Sequence, residues 1–159
     1  MAKPIKKNEL GYLGEDFQMK LVHEFTENPS FFEDLNAIVD QNMFSDPLIK
    51  LYVGIMKDYF SKYGTVPSYG TIRTILLEKA HNDIEQDTFL AIVDKVISTS
   101  TEGIDYVKEL ATKFFKQQNL VATANKILKI ASNGDVDKYD SCFELVSKAH
   151  VRSLRDRSV

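Results

Sequence analysis

The chain is poor in the residues that most all-β and secreted folds depend on. It has one cysteine, Cys142, which cannot close an internal disulfide or build a cysteine-based zinc site, and this points to an intracellular protein. Seven glycines, four prolines and no tryptophan leave too few turn-formers for a sandwich or barrel, which needs a turn about every 8–12 residues. No stretch approaches the roughly eighteen apolar residues of a membrane span. The start, Met1-Ala2-Lys3-Pro4-Ile5-Lys6-Lys7, runs into Asn8 and Glu9 rather than an apolar segment, so it does not read as a secretory signal. Catalytic motifs are missing as well. None of the glycines precedes a lysine, which excludes the phosphate-cradling P-loop. Val66-Pro67-Ser68-Tyr69-Gly70 lacks the first glycine of a nucleophile elbow, so Ser68 reads as a helix cap.

What remains is the balance of a globular protein: 159 residues, 43% apolar and 27% charged, enough for one domain with a real core. The net charge of −3 is unevenly spread. Lys3, Lys6 and Lys7 make residues 1–7 +3, and Lys148, Arg152, Arg155 and Arg157 against Asp156 make residues 148–159 +3, so residues 8–147 carry −9. An acidic body is a poor clamp for phosphate, and the basic tail reads as a solvated linker.

Apolar spacing predicts helix after helix. Phe17, Leu21 and Phe25 lie four apart on one face, and Pro29 opens a second short helix with Phe32, Leu35, Ile38 and Val39. Asp46-Pro47 is a capping residue ahead of a first-turn proline, and Gly64 stops the helix that follows. That helix carries Leu51, Tyr52, Ile55, Met56, Tyr59, Phe60 and Tyr63, an arc wide enough to mark it as central. Ser68 or Thr71 starts a helix with Ile72, Ile75 and Leu76, and Phe89, Ile92, Val93, Val96 and Ile97 define the next. The polar loop 99–103 separates this bundle from the longest periodic run, about 104–132. There Val107, Leu110, Phe114, Val121 and Leu128 form one stripe, widened by Leu120 and Ile127, with Phe115 and Ile130 to the side. Asn133-Gly134 closes it, and Asp135 or Asp137 caps a last helix with Tyr139, Cys142, Phe143, Val146 and Ala149.

The expected fold is therefore all-α: a flexible segment 1–12, a globular helical lobe 13–98, a long antiparallel helical hairpin 104–150, and a linker from 151 to 159. The long helix is apolar on more sides than one partner helix covers. Two readings of that surplus stand: packing against its own lobe, or contact with a second copy.

Other groups read as structural. His23 with Glu27 one turn on has the spacing of a metal pair but lacks a further ligand, and reads as a solvent-facing turn. Cys142 reads as a small buried hydrophobe, and Asp83, Glu85 and Asp87 as carboxylates favoured by a helix N-terminus. Tyr52, Tyr59, Phe60 and Tyr63 read as core rather than a base-stacking platform. Lys108, Lys113, Lys116, Lys126 and Lys129 leave the long helix locally +3 against Asp105 and Glu109.

In combination, Asn42-Met43-Phe44-Ser45-Asp46-Pro47, Lys50-Leu51-Tyr52, Ile55, Tyr59-Phe60, Tyr63 and Val66-Pro67-Ser68 with Ile72 and Leu76 resemble the N-terminal domain of DnaB-type replicative DNA helicases, the T-even phage type above all. Leu13-Gly14, Phe17-Gln18, Leu21, Asn28-Pro29 and Phe31 upstream are similar to its first helices. Phe114, Gln117-Gln118, Ala122, Ala124, Ile127, Ile130, Gly134 and Phe143 downstream are similar to its hairpin, so the resemblance spans about residues 13–150.

The resemblance implies a non-catalytic collar above a RecA-like motor. Its hairpin would pair between subunits through Phe114, Phe115, Val121, Ile127, Phe143 and Val146, and its surfaces would dock primase and a helicase loader. ATP, magnesium and single-stranded DNA would be handled mainly by the motor, which this chain lacks; no catalytic, cofactor or metal residue is expected here. The implied location is the cytoplasm of a bacterial or phage-infected cell. A stand-alone helical adaptor, such as a loader or DNA-binding accessory factor, is the alternative. A small helical enzyme using His23 and Glu27 is a remote third.

Overall fold

The computed structural model describes residues 10–134 and 136–155, those at 11, 12 and 149–155 by their backbone alone. It is all-α: seven α-helices, three short 3-10 turns and no strand among the described residues. The helices are α1 (Glu15–Glu27), α2 (Pro29–Leu35), α3 (Pro47–Tyr63), α4 (Tyr69–Lys79), α5 (Asp83–Ile97), α6 (Ile104–Ser132) and α7 (Tyr139–Arg155).

Local chemistry sets most boundaries. Asp46 Oδ1 accepts from the backbone N–H groups of Leu48 at 2.7 Å and Ile49 at 3.3 Å, two donors that the first turn of α3 leaves without an intrahelical partner. Gly64 closes α3 in the left-handed region at φ 72°, its N–H donating to the Phe60 carbonyl at 2.8 Å. Ser68, not Thr71, caps α4. Asn82 caps α5 by accepting from the Glu85 N–H, and the Glu85 carboxylate accepts from the His81 N–H in return. Ile38 and Val39 are buried but follow α2 in a turn rather than extending it. Asp135 lies outside the described residues, and Asp137 sits within a 3-10 turn, Val136–Lys138, that leads into α7.

The core is aromatic and spans the whole lobe. Phe25 on α1 meets Phe32 edge-on at 5.1 Å, Phe31 at 5.6 Å and Phe115 stacked at 6.4 Å between ring centroids. Tyr52 on α3 is fully buried, and its hydroxyl shares a 2.6 Å hydrogen bond with Thr26 Oγ1, so the one polar atom carried inward is satisfied.

Three element boundaries fall elsewhere than the spacing alone placed them. Leu10 is fully buried in a 3-10 turn, Leu10–Leu13, packed against α1, so the ordered lobe begins before residue 13; residues 1–9 lie outside the described part. The lobe does not stop at the 99–103 loop either. Val107, Ala111, Phe114 and Phe115, spaced i, i+4, i+7 and i+8, put one face of the first turns of α6 into the same core, against α1. Finally, α7 continues past residue 150 and is helical through Arg155, with 156–159 outside the described residues.

Beyond Phe115, Gln118, Asn119 and Ala122 on α6 still line a cleft with Ile38, Val39, Met43 and Lys57 of the lobe, and α6 also packs with α7. Buried Thr123 and half-buried Ile127 and Ile130 on α6, with half-buried Cys142 and Leu145 on α7, mark the faces these two helices turn to each other. No helix among the described residues is long and apolar enough to cross a membrane.

Candidate interaction surface

The second half of α6 and the start of α7 carry large apolar side chains that nothing covers. Leu120 and Leu128 are each 64% exposed, Phe143 is 76% exposed, and Val121, Val146 and Tyr139 are exposed as well. On α7, Tyr139, Phe143 and Val146 stand at i, i+4 and i+7, one face of the helix. On α6, Val121, Ala124 and Leu128 stand at i, i+3 and i+7, with Leu120 beside them. Neither set includes a charged residue. A solitary exposed leucine needs no explanation, but two adjoining helices that each present such a face do.

Charge on this arm is segregated. From Ala111 to Gly134 there are four lysines and no acidic residue. At about 100° per residue, Lys126 falls nearly opposite the Val121, Ala124 and Leu128 stripe. Lys113 is engaged with Glu109 one turn earlier, at 3.0 Å.

The six residues expected to form the interface are divided by the structure. Phe114 and Phe115 are core residues, and that expectation is corrected: Phe115 is enclosed by Phe25, Phe44 and Phe114, which leaves it nothing to offer a second molecule. Ile127 is half-buried toward α7. Val121, Phe143 and Val146 lie on the uncovered surface. Leu120, Leu128 and Tyr139 join them there. The same helical spacing that selected Phe143 could have selected all three.

The other candidate residues lie elsewhere, with different roles. His23 is buried rather than solvent-facing, and its Nδ1 lies 2.7 Å from the Val96 carbonyl, so a proton on Nδ1 joins α1 to the last turn of α5. Neighbouring Glu24 pairs with Lys108 at 3.5 Å, which fastens the start of α6 to α1, and Lys20 donates to the Glu102 carbonyl at 2.9 Å. Tyr69, whose hydroxyl approaches His23 Nδ1 at 3.4 Å, has its pKa raised by burial and then by the nearby Tyr52, Glu27 and Glu24; burial also raises that of Tyr52. These groups bind helices to one another. No group of three or more His, Cys, Asp or Glu side chains suited to a metal occurs among the described residues.

Cys142 is half-exposed at the contact of α7 with α6 instead of buried. The aromatic arc of α3 divides, with Tyr52 in the core, Tyr59 and Phe60 half-buried, and Tyr63 exposed with its ring 4.6 Å from that of Tyr59. Of the three acids of α5's first turns, Glu85 is used in the cap, while Asp83 and Asp87 face solvent. No protein-family model, no curated protein and no solved structure matches the chain.

Proposed function

We propose that this chain is the non-catalytic N-terminal domain of a DnaB-type, phage-like replicative DNA helicase, in which α6 and α7 form an antiparallel hairpin that pairs with the hairpin of a second copy. The lobe would then be left to dock primase or a loader. The observation that carries the reading is the uncovered, charge-free apolar face of α6 and α7.

In an antiparallel hairpin these two stripes share one side. The Val121, Ala124 and Leu128 stripe lies roughly 120° round α6 from its α7-facing residues, and Tyr139, Phe143 and Val146 lie roughly 100° round α7 from Cys142 and Leu145, in the same rotational sense. Because the two axes run oppositely, equal rotations bring both stripes to the same side of the pair. Counting back from the turn, Leu128 comes level with Phe143 and Ala124 with Val146, so the stripes merge into one patch.

A patch without charge suits an isologous contact, in which each residue meets its own surface and like charges would repel. Lys126, nearly opposite on α6, stays in water. The reading places chemistry in a separate motor, so this chain organises subunits and breaks no bond.

Light scattering over a concentration series tests it. The expected result is a concentration-dependent dimer or higher oligomer that Phe143→Glu weakens at least about tenfold, since full burial of a phenylalanine contributes roughly 1.5–3 kcal/mol and about 1.4 kcal/mol is tenfold in Kd. A strict monomer at high concentration, or unchanged association in the variant, would overturn the pairing. Sequencing the gene past Val159 tests the parent: an open frame into a P-loop supports a helicase, and a stop codon supports a stand-alone adaptor.

A further inference from the structure

We draw no further inference here: the strongest candidate, the groove between α3 and α4 lined by Ile55, Tyr59, Lys62, Tyr63 and Ile75, carries none because its rim charges balance, Asp58 and Glu78 against Lys62 and Lys79, and nothing in the structure shows what covers it.

Discussion

Phe115 lies 6.4 Å, ring centroid to centroid, from both Phe25 and Phe44, and it is fully buried, so α6 is held to the lobe by side chains from α1 and from the turn before α3. Truncating it removes a large apolar group and leaves a cavity between three elements. Phe115→Ala is expected to destabilise the fold by about 3–5 kcal/mol, measured by urea unfolding. A loss under about 1 kcal/mol would place the ring at the surface instead. Tyr52 and Tyr69 make a second claim at this scale, on pH. Both have pKa values raised above the ordinary 10.0, chiefly by burial. The folded state therefore holds protons that the unfolded chain gives up near pH 10, so stability is intact below that pH and falls as pH rises beyond it. The midpoint of urea unfolding should drop steeply above about pH 10, and less so in Tyr52→Phe, whose remaining change would be loss of the hydrogen bond to Thr26. A flat profile to high pH would contradict the burial of the Tyr52 hydroxyl and the partial burial of Tyr69.

Helix ends are where sequence and structure agree best, because a cap needs only its neighbours. Asp46-Pro47, Gly64 and Ser68 carry their instruction within four residues, and each does in the fold what its chemistry dictates. Asp46→Ala should cost about 1 kcal/mol by removing the acceptor for two N–H donors. Gly64→Ala should cost roughly 1–2 kcal/mol by forcing a Cβ into the left-handed region, although no atom stands within 4 Å of that position. Chemical denaturation of both variants checks the pair, and the two losses should add, since the sites cap opposite ends of a 17-residue helix. The course of α6 was not legible in the same way. Its spacing joins Val107, Phe114, Val121 and Leu128 into one stripe, yet the structure buries the first two and exposes the others. A seven-residue step keeps nearly the same face, so periodicity reports that the face is apolar but not how far along it a neighbour extends. That distance depends on where Phe25 and Phe44 come to rest, tens of residues away in sequence.

At the scale of the molecule, one uninterrupted helix belongs to two environments: as far as Ala122 it borders an acidic lobe, and its last turns form an arm with α7. Residues 111–134 have four lysines and no acid, whereas the chain between its basic ends is strongly acidic, so two forces could bring copies together. One is apolar burial of the face around Leu128 and Phe143. The other is attraction of a lysine-bearing arm to the acidic lobe of a neighbour. Salt separates them. On going from about 0.1 M to about 1 M, the screening length falls from about 10 Å to about 3 Å, which would weaken an arm-to-lobe contact built on charge. Burial of a charge-free face is not screened, and sulfate strengthens it through exclusion from the protein surface. Association followed by sedimentation equilibrium should therefore hold or tighten as sodium sulfate is raised, with Lys126→Gln and Lys129→Gln leaving it unchanged and Leu128→Glu abolishing it. Dissociation by salt, or sensitivity to the lysine variants, would replace the apolar pairing face with an electrostatic one around Lys126 and Lys129.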